Sequence, residues 1–189
     1  MSVLIVPGIG NSGAEHWQTR WQEKYADITR IAPASWDAPD CDDWVAAIER
    51  AVQASGPQTQ IVAHSLGCLA VAHWAHSRVT GGAATDTNGI AGALLVAVPD
   101  PDGPVFPGAA RGFAPLPTQR LPFPSLIVAS DDDPYAKADY AQRCAQAWGS
   151  RLHRIGKRGH INAASGLGDW TEGWRLLESL TGLGSASAV

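Results

Sequence analysis

Ser65 stands in "IVAHSLGCLAVAHWA" (61–75), between an apolar run and a helical run of small residues. Where a strand turns sharply into a helix, a serine at the turn has its hydroxyl held clear of both elements. Its neighbours two positions away must be small, because strand and helix cross closely there. The pattern G-x-S-x-G reads Ala63-His64-Ser65-Leu66-Gly67, with alanine, the next smallest residue, replacing the first glycine. Such a serine is suited to acyl transfer: the Leu66 amide would point at a tetrahedral oxyanion, and the helix dipole favours negative charge there. The alternative is that Ser65 only caps the helix, a frequent role for serine.

A serine nucleophile needs a base, and the base needs an orienting acid. Of six histidines, His160 in "GKRGHINAASG" occupies a glycine-rich loop from which a side chain can reach the C-terminal edge of a sheet. His153 falls inside a strand pattern. His73 and His76 are three apart on the helix after Ser65, too far along to meet it and without a third metal ligand. For the acid, "SDDDPYAK" offers Asp131, Asp132 and Asp133. Three adjacent carboxylates repel one another too strongly for all to be buried. Asp133 before Pro134 would also make a good helix N-cap, and spacing does not decide among the three. The order Ser65, Asp, His160 matches the α/β-hydrolase chain order and differs from those of chymotrypsin and subtilisin.

The second oxyanion donor is expected from "PGIGNSG" after the first strand, with the Ile9 amide first and Gly10 in reserve. This loop also spells G-x-G-x-x-G at 8–13, a dinucleotide fingerprint that needs an acidic residue about 20 positions on, ending the second strand. "ITRIAPASWD" ends instead in Ala32 and Pro33, with Asp37 only after a loop. That reading is set aside.

These residues require strands that all end on one edge. Short apolar runs alternating with helical patterns predict an α/β fold of about six mostly parallel strands, with helices on both faces. The strands are expected at 3–6, 28–32, 59–63, 90–98, 125–130 and 151–155. Helices are expected at about 13–25, opened by a Ser12/Glu15 capping box with Trp17, Trp21 and Tyr25 on one stripe, and at 42–54, 66–76, 134–148 and from an Asp169/Glu172 cap to about Leu180. "TGGAATDTNG" reads as a small-residue loop. Residues 99–124 hold eight of the thirteen prolines and read as an ordered loop, too short for a cap domain. The expected organisation is one domain over 1–181 with a frayed tail at 182–189.

With 45% hydrophobic and 17% charged residues, the composition is that of a folded globular protein. A net charge of -4 and a pI near 5.8 give no basic footprint for nucleic acid or an anionic membrane. No run approaches the roughly 20 apolar residues of a membrane span, and "MSVLIVPG" lacks a signal-peptide pattern, so the expected location is cytoplasmic. Cys41, Cys68 and Cys144 show no C-x-x-C spacing and read as core or free thiols.

Taken together, "VPGIGNSGAEHWQTRW", "AHSLGC", "SDDDPY" and "GHINAASGLGDWTEG" resemble the YdeN-like serine hydrolases, the family that includes retinoblastoma-binding protein 9. The resemblance covers most of the chain. It implies a minimal α/β-hydrolase fold beginning at what is usually the third strand, and a triad whose acid directly precedes the proline. That maps onto Ser65, His160 and Asp133, with Asp132 as fallback. His16, Trp17 and Trp21 match the family's "HWQ..W" segment; the two tryptophans read as core residues four apart. The candidates to line a substrate site are His64, His16, Phe106 and Phe113. The expected activity is hydrolysis of a small ester through an acyl-enzyme, without metal or organic cofactor. An amide substrate, or a protein-binding role on the same scaffold, is the alternative. Ester turnover measured against pH should fall below about pH 7, where a histidine base is protonated.

Overall fold

Period-2 alternation in the apolar runs decides how the strands stack, because each strand sends successive side chains to opposite faces. A computed structural model describes residues 2–81, 89–137 and 139–181. The strands are β1 (Val3–Val6), β2 (Ile28–Arg30), β3 (Thr59–His64), β4 (Ile90–Val96), β5 (Ser125–Ala129) and β6 (Arg151–Arg154). They form one sheet in the order β2-β1-β3-β4-β5-β6, and every neighbouring pair is parallel. Leu4, Val6, Ile61, Ala63, Leu95 and Ile127 face one layer of core; Val3, Val62, Leu94, Val96 and Val128 face the other.

The first layer is covered by α2 (Cys41–Ala54), α3 (Leu66–Thr80) and α4 (Tyr140–Trp148), through buried Trp44, Ile48, Leu69, Trp74 and Trp148. The second is covered by α1 (Trp17–Lys24) and α5 (Thr171–Thr181). Here Trp17, Trp21 and Trp170 pack ring against ring, with centroids 4.8 to 5.9 Å apart. Tyr25 stacks on Trp174 at the margin of this cluster. The chain leaves β1 toward β2 on one side and returns past it to β3 on the other. The crevice where a parallel sheet changes direction therefore opens at the carboxyl ends of β1 and β3.

Several expected boundaries move for local reasons. The Ser12/Glu15 capping box does not form: α1 starts at Trp17 with His16 as N-cap, while the Ser12 hydroxyl donates to buried Gln18 and Glu15 pairs with Arg20. Asp169 does not cap α5, because its carboxylate is taken by Lys24, 2.7 Å away. α4 begins at Tyr140 rather than Pro134, since the preceding stretch turns to bring Asp133 toward the sheet edge. A 3-10 turn at Ala163–Ser165, capped by Asn162, was not expected. The 99–124 segment holds neither helix nor strand and is tied down: Cys41 N–H donates to Arg111 O, and the Trp148 indole donates to Pro117 O. Residues 82–88 of the small-residue loop and the 182–189 tail lie outside the described residues. No helix among the described residues is long and apolar enough to cross a membrane.

The tightest contact in the fold is at the start of α3. A Cβ on Gly67 would lie 2.3 Å from the Val6 carbonyl oxygen and 2.5 Å from that of Pro7. Alanine ordinarily favours a helix over glycine, but here it meets main chain that has no room to yield. Gly67→Ala should lose at least about 2 kcal/mol of stability, as overpacking does, measured by urea denaturation.

Candidate active site

Ser65 follows β3 directly and precedes α3, with φ 53° and ψ −125°, a backbone conformation that side-chain-bearing residues rarely adopt. Its N–H donates to Val96 O, which pins the turn to β4. As the residue before α3 it makes no side-chain cap bond; its hydroxyl instead lies 2.7 Å from Nε2 of His160. Ser65 therefore does not use its side chain as a helix cap. Gly8 passes so close that a Cβ there would stand 2.9 Å from the Ser65 Cβ, which explains a glycine at this point of the β1 loop.

His160 lies on the loop after β6, with Nδ1 2.9 Å from both carboxylate oxygens of Asp133. The carboxylate only accepts, so Nδ1 carries the proton and Nε2 is left to accept from Ser65. The side chains of His160 and Asp133 are 9% and 5% exposed, so the pair is shielded from water. Asp133 also accepts from the Tyr135 N–H, which holds its carboxylate in place. The three adjacent carboxylates take separate partners. Asp131 pairs with Arg154, and Asp132 accepts from the Ser130 hydroxyl and the Gly159 N–H, bonds that hold its carboxyl below the usual range. Asp132 thus braces the loop that carries His160 and does not touch the imidazole itself.

Leu66 and Ile9, the residues expected to supply the oxyanion donors, both line a cavity beside Ser65. Neither the Leu66 N–H at the start of α3 nor the Ile9 N–H has a protein acceptor among the described residues. Gly10, the reserve donor, is a correction: its N–H is spent on Trp36 O at 2.8 Å, and the residue lies outside the cavity. That cavity, of about 190 Å3, opens over Ser65. Ile9, Leu66, Pro99, Phe106, Pro107 and Tyr135 form its apolar and aromatic walls, and among the described residues no Lys, Arg, Asp or Glu lines it. Phe113 is a second correction. It is 1% exposed and packs edge-on to Trp44 in the core, because the Phe113 carbonyl is held by His73 beneath the loop.

His16 and His64 both reach the cavity and both are buried. Burial pushes His16 down to about 4, helped by the Arg30 and His160 charges. Burial likewise holds His64 well below the ordinary histidine range, with His16 and His160 acting the same way. Three features had no reading in the sequence. Tyr135 lies 4.4 Å from the His160 ring, Asn162 lines the cavity and caps the 3-10 turn, and the Trp17 indole donates to Ile161 O. Only the "PY" of "SDDDPY" hinted at the first; the others depend on how distant loops meet.

A family model described as serine hydrolase matches residues 3–179. A YdeN-like hydrolase from Pectobacterium atrosepticum is 32% identical, with a TM-score of 0.80 over 96% of this chain and 91% of that one. The ydeN gene product of Bacillus subtilis is 18% identical, with a TM-score of 0.66 over 96% and 98%. A monoacylglycerol lipase from Paleococcus ferrophilus shares the fold at 12% identity, with a TM-score of 0.66 over 95% and 93%. No curated protein matches the sequence.

The buried neutral histidines predict an acid sensitivity. A histidine whose folded pKa is depressed stays unprotonated while the unfolded chain takes up a proton, so stability is lost as pH falls from about 6.5 toward about 4. His16 alone accounts for about 2 to 3 kcal/mol at pH 4.5. His16→Asn keeps a side-chain acceptor for the Gln18 N–H, so it should lose correspondingly less stability than wild type between pH 7 and pH 4.5 in urea denaturation.

Proposed function

Because the chain belongs to the serine hydrolase family, as a YdeN-like enzyme of the α/β-hydrolase superfamily, we propose that it cleaves a small uncharged ester through Ser65, His160 and Asp133. The observation that carries this reading is the unbroken run of short contacts, Ser65 Oγ to His160 Nε2 at 2.7 Å and His160 Nδ1 to Asp133 at 2.9 Å, beneath an open cavity.

In this reading His160 takes the Ser65 proton as Oγ attacks the substrate carbonyl. Asp133 keeps the imidazole in the required tautomer and stabilises the imidazolium. The Leu66 and Ile9 amides receive the developing oxyanion, each worth about 3 to 4 kcal/mol in the transition state. His160 then returns the proton to the leaving oxygen, and water repeats the sequence on the acyl-enzyme. The absence of Lys, Arg, Asp and Glu from the cavity walls among the described residues favours a neutral substrate. The cavity volume, below the roughly 300–1,000 Å3 of sites for drug-sized ligands, favours a short acyl chain.

A fluorophosphonate probe should label the wild type and fail to label Ser65→Ala or His160→Ala variants of equal circular dichroism. Absence of wild-type labelling would remove the support for an activated serine. Asp133→Asn should lower kcat about 10^3- to 10^4-fold by offering the wrong tautomer to His160, whereas Asp132→Asn should cost far less. Across p-nitrophenyl esters, kcat/KM for the decanoate should fall at least about tenfold below that for the butyrate.

A further inference from the structure

His64 is a buried imidazole that the acyl-transfer steps leave unused, yet it touches both halves of the site. It ends β3 and immediately precedes Ser65, so its main chain is part of the turn that holds the nucleophile. Its Nε2 lies 2.9 Å from the main-chain oxygen of His160. A carbonyl can only accept, so Nε2 carries the proton; burial keeps the ring neutral, so Nδ1 is bare. The rings of His64 and His160 stand 5.0 Å apart, and His16 packs edge-on to His64 at 4.7 Å.

We propose that His64 is a positioning residue: its Nε2–H, bonded to the His160 carbonyl, sets where the His160 imidazole stands relative to Ser65. The inference rests on the proposed Ser65–His160 chemistry and adds a residue to it. His160 sits in an irregular turn, between Gly159 and Ile161 at positive φ values of 56° and 49°, that is closed by the Ile161 N–H donating to Arg158 O and is not part of a helix or strand. Four successive residues are also tied from outside. The Arg158 N–H donates to Ser130, the Gly159 N–H donates to Asp132, the His160 oxygen accepts from His64, and the Ile161 oxygen accepts from Trp17. Of these ties, the His64 bond alone begins on the residue next to the nucleophile. It references the base to the serine through one peptide unit, where the others pass through separate elements. With Asp133 holding the ring and His64 holding the main chain, the Oγ–Nε2 distance is fixed at both ends of His160.

The test compares His64→Phe, which keeps an aromatic ring without the donor, with His64→Gln, whose Nε2 stands as far along the side chain as that of histidine. For p-nitrophenyl butyrate, His64→Phe should lower kcat about 10- to 100-fold with KM within about twofold of wild type, as for a displaced catalytic group. Fluorophosphonate labelling should slow in parallel, and His64→Gln should recover most of the loss. A His64→Phe enzyme within twofold of wild type, or two variants equally impaired, would overturn the proposal. If His64→Phe does not fold, nitrogen-15 spectra of the wild-type ring decide: a proton on Nε2 supports the tie, and one on Nδ1 refutes it. Labelled wild type with equally fast His64→Phe removes this inference alone; unlabelled wild type removes it together with the reading beneath it.

Discussion

Ser65 holds a backbone conformation that costs of order 1–3 kcal/mol, and much of the fold serves to keep it there. The strain is sustained because every neighbour is already placed. β3 is paired on both sides, the Ser65 N–H is bonded to β4, and α3 is pressed so close to the end of β1 that only glycine fits at 67. The same closeness forces glycine at position 8, and Leu66 and Ile9 on the two sides of this contact both line the cavity. The proposed nucleophile and oxyanion donors thus share a single packing contact between α3 and the β1 loop.

The proposed acid and base, Asp133 and His160, arrive by a different route. They lie on loops after β5 and β6, far from Ser65 in sequence, and such loops have little intrinsic rigidity. Their precision comes from polar ties that replace regular secondary structure: Ser130 and Asp132 from one loop hold the next, while His64 and Trp17 reach it from the sheet and from α1. The tryptophan layer beneath α1 and α5 belongs to this arrangement. Trp17 packs on Trp21 and Trp170 while its indole N–H supports the His160 loop.

Low polarity around the site has an electrostatic consequence. His64 packs against both His16 and His160, with ring centroids 4.7 and 5.0 Å away, and burial keeps His16 and His64 neutral, so neither adds a standing positive charge beside His160. The proline-rich 99–124 segment supplies the remaining walls through Pro99, Phe106 and Pro107. Its bonds to α2 and α4 make it a fixed wall, while Phe113 and Phe123 are spent on the core.

The alternation of apolar runs with helical patterns, the A-H-S-L-G turn and the glycine loop after β1 were legible in the sequence, because each is a local requirement: hydrophobic period, small residues at a close crossing, a turn that needs no side chain. The residues alone left three carboxylates open, placed Phe113 at the site and kept Gly10 as a donor. Each of those depends on what lies across space. Asp133 differs from Asp132 only in which loop amide or imidazole it meets, Gly10 is excluded by a carbonyl 26 residues away in the chain, and Phe113 is drawn inward by Trp44. Sequence by itself determined the fold class and singled out Ser65 as the candidate nucleophile, since short-range sterics and periodicity dictate both the fold class and the turn. Tertiary structure decided which carboxylate reaches His160 and which residues line the cavity beside Ser65, since hydrogen bonds between distant loops obey distance and not spacing.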